Sequence, residues 1–104
     1  MMIRSYYKKN KKYILWLKFR SCIVCGKDSE PHHVRQLAYI PYKYAGGTGS
    51  KPSDLMCIPL CREHHEDIER SPEQFSKEYH IDIQKEIILC LAEYIVWLNK
   101  ECQI

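Results

Sequence analysis

The sequence has no apolar run approaching the length of a membrane span, and no apolar core of a secretory signal follows Met1-Met2-Ile3-Arg4. It also has no internal repeats and no low-complexity tracts. With 104 residues there is room for one domain but not for two with independent cores. We therefore expect a single-domain cytoplasmic protein with no membrane partner.

Acidic residues are missing before Asp28, although the net charge of the whole chain is only +3. Residues 1–52 hold eleven Lys and Arg against two acids, and residues 53–104 hold five against eleven. Aromatic residues alternate with the early cations, a composition that suits a nucleic-acid backbone. The alternative is a solvated helix face whose aromatics pack inward. The candidate phosphate-contacting residues in this arm are Lys8, Lys9, Lys11 and Lys12.

Six cysteines in a reducing compartment indicate metal binding or redox work more than structural disulfides. Cys22 and Cys25 form a CxxC pair, and Cys61 is followed three residues later by His64. Structural zinc takes four nitrogen or sulfur ligands, so these four residues make a predicted zinc site. Two alternatives stay open: His65 could replace His64 at i+4 from Cys61, or a histidine of the pair 32–33 could do so. Cys90 and Cys102 are expected to be buried small side chains.

A second ligand set is predicted from the other face of the same helix. His65 lies about 100° round the helix from His64 and stacks over Glu69 at i+4. Together with His32, these side chains would bind a divalent ion and leave coordination positions open, as catalytic sites do. His33 could then accept a proton from the attacking water. Alternatively, the histidine pair lies on the surface and Glu69 belongs to a solvated helix.

Periodicity and capping signals predict an α+β fold. A first helix over about 6–20 offers Tyr13, Trp16 and Leu17, with Phe19 and Arg20 as further packing residues. Gly26 closes a tight turn at positive φ, and short strands flank 32–34 and 56–58. The glycine-rich stretch 44–52 is a loop whose spacing fits no nucleotide-binding signature. Three more helices follow: one from residue 60 or 61 to 70, one capped by Ser71 that runs to about 80, and one capped by Asp82 with the apolar stripe Ile83, Ile87, Leu91, Tyr94, Ile95 and Leu98.

Several motifs together resemble the HNH (ββα-metal) endonuclease superfamily, in particular small phage and prophage nucleases related to the phage recombination-enhancement nuclease. The resemblance covers roughly residues 20–82. Its pieces are Cys22 to Cys25, Pro31-His32-His33-Val34-Arg35, Gly47 to Leu55, and Pro59-Leu60-Cys61-Arg62-Glu63-His64-His65, with Phe75 and Tyr79 after them.

The resemblance implies a treble-clef-like zinc scaffold whose β-hairpin and helix hold one divalent ion and hydrolyse DNA to 5′-phosphate and 3′-hydroxyl ends. His33 takes the general-base position, His32 and His65 match metal ligands, and Glu69 stands where relatives carry a histidine or acid. The Asn of the HNH pattern has Asp54 as its nearest substitute here. A glutamate ligand favours Mg²⁺ or Mn²⁺ as the catalytic ion, with Zn²⁺ as the alternative. Arg35 and Lys51 are candidates for holding phosphate.

The leading hypothesis is thus a single HNH-type nuclease domain over residues 1–104, acting on DNA in a bacterial or phage-infected cell as a monomer or homodimer. It comprises a basic helical arm (1–20), a zinc and ββα-metal core (21–71) and C-terminal helices (72–104). The alternative is a catalytically inactive zinc module that binds nucleic acid. A thiol redox protein is a weaker alternative, because the CxxC pair lacks a βαβ context.

Overall fold

Asn10 starts the first helix, α1 (Lys11–Lys18), by accepting a hydrogen bond from the backbone N–H of Tyr13. The computed structural model describes residues 9–34 and 52–101. Tyr13, Trp16 and Leu17 share the buried face of α1, as predicted. Phe19 does not, since it is 89% exposed. Phe19 is the C-cap of α1 and lies about 60° round the helix from Trp16, beyond the edge of the buried face.

Two short strands, β1 (Glu30–His33) and β2 (Cys57–Leu60), form an antiparallel sheet near the predicted positions. His32 pairs with Ile58 and His33 with Cys57. A 3₁₀ turn over Asp54–Met56 leads into β2, every residue of which is buried. The helix that precedes β2 in the chain and helices that follow it all pack against this strand. This packing explains why the residues of β2 are apolar throughout and do not alternate with polar ones. The sheet thus places the histidine pair beside the core.

Three further helices follow at α2 (Arg62–Arg70), α3 (Pro72–Tyr79) and α4 (Ile83–Glu101). The Ser71 hydroxyl caps α3 by accepting from the Gln74 N–H, with Pro72 at the first helical position. His80 ends α3 in the left-handed conformation at φ 55°. Asp82 accepts from the Lys85 N–H at the start of α4. The predicted capping of both helices is confirmed.

The long helix α4 closes the core with Ile83, Ile87, Cys90 and Tyr94. The Tyr94 ring meets the ring of Tyr13 edge-on at 4.9 Å between centroids. The apolar stripe was predicted too wide, because Ile95 is 56% exposed. Ile95 is one residue, about 100°, beyond Tyr94 and so falls outside the narrow face that α4 buries. Other members of the stripe, Leu91 and Leu98, pack partly buried against the core.

The described part of the chain is a small α+β unit with one two-stranded sheet and four helices. Cys90 is buried as predicted, whereas Cys102 lies outside the described residues. Trp97 stacks against Tyr94 at 5.9 Å and belongs to the edge of the core. Within residues 9–34 and 52–101, no helix is both long and apolar enough to cross a membrane.

Candidate metal centre

A Cys₃His cluster forms where the turn after α1 meets the start of α2. Its members are Cys22, Cys25, Cys61 and His64, whose ligand atoms all lie within 4.8 Å of one another. The Sγ atoms of Cys25 and Cys61 are 3.7 Å apart, and Cys22 Sγ lies 3.6 Å from His64 Nδ1. A tetrahedral zinc ion with ordinary bond lengths separates two sulfurs by about 3.8 Å, and a sulfur from a nitrogen by about 3.5 Å. This cluster could hold a metal ion of that size.

Backbone geometry prepares the turn that carries the CxxC pair. Gly26 has φ 76°, and its N–H donates to the carbonyl of Cys22. The N–H of Val24 donates to Cys22 Sγ at 3.4 Å. Burial alone raises the pKa of the Cys22 thiol, but hydrogen bonds from the backbone of Cys61, Cys25 and Val24 outweigh burial and lower this pKa to about 6. At Cys22 the backbone thus favours the thiolate that a metal ligand requires.

His64 belongs to this first cluster, and the alternative with His65 in its place is not what the structure shows. Cys61 is the N-cap of α2 and His64 lies in its first turn, with Cys61 Sγ 3.1 Å from His64 Nδ1. The His64 ring packs edge-on against Tyr79 at 5.0 Å. The Tyr79 hydroxyl donates to Asp67, which raises the pKa of Tyr79 to about 12. This contact fixes α3 against the cluster.

A second cluster joins His32 of β1 to His65 and Glu69 of α2. The two imidazole rings meet edge-on with centroids 4.5 Å apart, and His65 Nε2 lies 2.9 Å from Glu69 Oε1. His32 is 9% exposed and the His65 side chain 14%, whereas Glu69 is 58% exposed. Two nitrogens and one carboxylate oxygen can hold a divalent ion, with the exposed side left open to other ligands.

His32 and His33 have different side-chain partners, because successive residues of a strand face opposite sides of the sheet. His33 Nε2 lies 2.9 Å from Asp54 Oδ1, and Asp54 Oδ2 accepts from the backbone N–H of Asn10 at 2.7 Å. Asp54 therefore ties β1 to the start of α1 through both oxygens. A carboxylate can accept twice in this way, whereas the single amide oxygen of an asparagine faces one partner only.

The second cluster and His33 line one cleft of about 370 Å³. Its lining is partly apolar, and its polar groups are the candidate ligands and base, an arrangement typical of binding sites. The lining residues are Pro31, His32, His33, Val34, His65, Ile68, Glu69, Pro72 and Ile83.

Two functional neighbours were missed by reasoning from sequence. Glu30 Oε1 lies 3.0 Å from His65 Nδ1, and Asn10 supplies the N–H that holds Asp54. Alternation along β1 puts Glu30 and His32 on one face, so strand periodicity could have found the first. Among the phosphate candidates, Lys9, Lys11 and Lys12 are exposed, and Lys12 Nζ lies 5.6 Å from the Trp97 ring centroid. Lys8, Arg35 and Lys51 lie outside the described residues.

The family described as "Protein of unknown function (DUF968)" matches residues 4–97, most of the chain. The chain belongs to this family. A protein of Escherichia coli K12 described as "Uncharacterized protein YdfU" is 35% identical to it over 69 residues. The alignment covers 65% of this chain but only 18% of that relative's length. No solved structure matches the chain. The DUF968 match includes every residue of both clusters, together with His33 and Asp54.

Proposed function

We propose that this DUF968 chain is a metal-dependent endonuclease of the HNH type, which hydrolyses phosphodiester bonds in DNA. The observation that carries the proposal is the adjacency of two ligand clusters on one helix: a Cys₃His set faces one side of α2, and a His₂Glu set faces the other. An inert zinc module needs only the first set. The second set, with His33 in the same cleft, is what a hydrolytic site requires.

In this proposal, the first cluster holds structural zinc and makes β1, β2 and α2 a treble-clef-like scaffold. Zinc there would tie the turn after α1 to the start of α2 across a separation of 42 residues. This link would also position the proposed catalytic side chains, because His65 and Glu69 lie further along the helix that starts at Cys61 and His64. No chemistry is assigned to the Cys₃His site itself, since four protein ligands leave no open position.

His32, His65 and Glu69 would hold a divalent ion, Mg²⁺ or Mn²⁺ in preference to Zn²⁺ because one ligand is a hard carboxylate. Bound there, such an ion would polarise a phosphate oxygen and stabilise the negative charge that develops on the leaving 3′ oxygen of the DNA strand. Ile68 and Ile83 line the same cleft as these ligands and make part of its wall apolar.

His33 would act as the general base in this reaction. Donation of its Nε2–H to Asp54 leaves the lone pair on Nδ1, as the orienting carboxylate of a catalytic triad does for its histidine. Nδ1 takes a proton from water while the water oxygen bonds to phosphorus. The bond from phosphorus to the 3′ oxygen then breaks, the leaving oxygen takes a proton from solvent water, and the hydroxide so formed removes the proton from His33 Nδ1. The products are a 5′-phosphate and a 3′-hydroxyl end.

The test is cleavage of supercoiled plasmid by zinc-loaded protein in Mg²⁺ or Mn²⁺, comparing the natural chain with His33→Ala. General-base catalysis contributes roughly 100- to 10,000-fold, so cleavage should fall by about that factor. The matched control is His80→Asn, since His80 lies at the far end of α3 and asparagine tolerates its left-handed backbone. The control should cleave at the natural rate.

A catalytically inactive zinc module that binds nucleic acid is the alternative outcome of the same experiment. In that case the natural chain and both variants hold zinc, bind DNA and cleave nothing. Equal cleavage by all three proteins would instead show that His33 has no part in the reaction, whatever nuclease activity the preparation carries. The exposed lysines of α1 suit either outcome, because backbone contacts by cations require no catalytic site.

A further inference from the structure

The two ring nitrogens of His65 face two different carboxylates. Nε2 lies 2.9 Å from Glu69, which belongs to the second cluster, and Nδ1 lies 3.0 Å from Glu30, which does not. Glu30 is the first residue of β1 and pairs in the sheet with Leu60. It therefore reaches the ring from the strand, whereas Glu69 reaches it from one turn further along α2.

The contact with Glu30 decides which nitrogen of His65 is available to an ion. A neutral imidazole carries one proton, and the other nitrogen supplies the lone pair. Donation of Nδ1–H to Glu30 leaves the lone pair on Nε2, the nitrogen that lies beside Glu69. The opposite tautomer would turn an N–H toward the ion. Partners of this kind orient the ring and raise the basicity of the ligand nitrogen.

Arg62 holds the Glu30 carboxylate in place. Arg62 Nη2 lies 2.7 Å from Oε1 and 2.8 Å from Oε2 of Glu30. Oε2 accepts the hydrogen bond from Arg62, and Oε1 lies within 3.0 Å of both Arg62 Nη2 and His65 Nδ1, so the arginine compensates the charge of a carboxylate that is only 35% exposed. Arg62 and His65 lie in the first turn of the same helix, so a single backbone element fixes the distance between them.

We propose that Glu30 is a positioning residue that presents His65 Nε2 to the catalytic ion, with Arg62 anchoring its carboxylate. The inference rests on the proposed function, because it requires that His32, His65 and Glu69 hold a divalent ion. The affinity of this site for the ion then depends on a carboxylate that does not itself contact the ion.

The experiment measures Mn²⁺ binding to zinc-loaded protein by the electron paramagnetic resonance of the free ion. Mn²⁺ prefers oxygen and nitrogen ligands and leaves the thiolate site to zinc. Loss of a carboxylate that orients a metal-bound histidine costs about 10- to 100-fold in affinity, which is the expected change for Glu30→Ala. Glu30→Gln retains an acceptor oxygen of the same reach, so its loss should be smaller. The control Glu66→Ala removes an exposed acid next to His65 and should change affinity by less than about threefold.

A second readout separates positioning from general support of the fold. With Zn²⁺ in both sites, long-range ¹H–¹⁵N spectra should show a slowly exchanging Nδ1–H on His65 in the natural chain and in Glu66→Ala. This signal should be lost in Glu30→Ala and recovered in Glu30→Gln, while zinc content at the Cys₃His site and melting temperature stay equal.

Equal affinities in the natural chain and Glu30→Ala, or an equal loss in Glu66→Ala, would overturn the role of Glu30 and leave the proposed nuclease standing. If Glu30→Ala fails to fold, Glu30→Met, which fills similar space without an acceptor oxygen, is compared with Glu66→Met, and equal Mn²⁺ affinities of these two variants would overturn the role of Glu30. A natural chain that binds no Mn²⁺ beside its zinc would overturn the catalytic site and the role of Glu30 together.

Discussion

Removing the ion from the Cys₃His cluster should cost this protein a large part of its stability. An ion held by this cluster would link Cys22 to His64 across 42 residues of chain. Closing a loop of that length costs an unfolded chain about 4 kcal/mol of conformational free energy at 25 °C, by the relation used for covalent cross-links. A domain of this size has only about 5–15 kcal/mol in total. Loss of this one constraint therefore removes a large fraction of the free energy of unfolding.

Cys61→Ser is the sharpest perturbation, because Cys61 is both a ligand and the N-cap of α2. Serine keeps nearly the size of the side chain and suits the N-cap position, where the Cys61 thiol makes no capping hydrogen bond, so the change acts mainly on the metal. A loss of about 4 kcal/mol lowers the melting temperature of a 100-residue domain by at least about 15 °C. The measurements are zinc content by mass spectrometry and thermal unfolding by circular dichroism.

The matched control is Cys90→Ser, which changes a buried thiol in α4 outside the cluster. It should retain one zinc ion per chain and lose about 1–3 kcal/mol from the new buried hydroxyl. The reasoning is refuted if Cys61→Ser binds zinc as the natural chain does, or if it loses zinc and still melts within about 5 °C of it. Chelation of zinc from the natural chain should reproduce the large shift in melting temperature.

Two further outcomes are expected. Asp54→Asn should lower plasmid cleavage by at least about tenfold with zinc retained, because an NH₂ group replaces one of the two carboxylate oxygens and cannot accept the N–H that this oxygen accepts. Unchanged cleavage would show that Asp54 does not orient the base. The second outcome concerns thiol labelling at pH 7.5 in a Cys102→Ser background, followed by mass spectrometry of labelled peptides. Chelation of zinc should make Cys25 reactive toward a thiol reagent, whereas Cys57 and Cys90 should react only after the protein unfolds. The reason is that burial raises the pKa of the Cys57 thiol and raises that of the Cys90 thiol to about 11. Labelling of either cysteine in the folded protein would contradict the prediction.

Local patterns along the chain predicted the elements well where a signal lies within a few residues. Ser71 and Asp82 cap their helices, and Gly26 has the positive φ that its turn requires. The width of a packing face was predicted less well. Phe19 and Ile95 fit the apolar periodicity but are exposed, since the neighbours that would cover a face come from distant parts of the chain.

The sequence by itself determined which side chains could bind metal, because thiol and imidazole identity and their spacing along a helix follow directly from the order of residues. The tertiary structure alone decided how they are shared: His64 joins the thiols, while His65 turns toward His32. It also decided the partners of the histidines, Asp54 for His33 across 21 residues and Glu30 for His65 across 35. Such pairings depend on the register of β1 against β2 and on the direction in which α2 leaves the sheet. No local periodicity specifies either, since both result from packing between segments far apart in the chain.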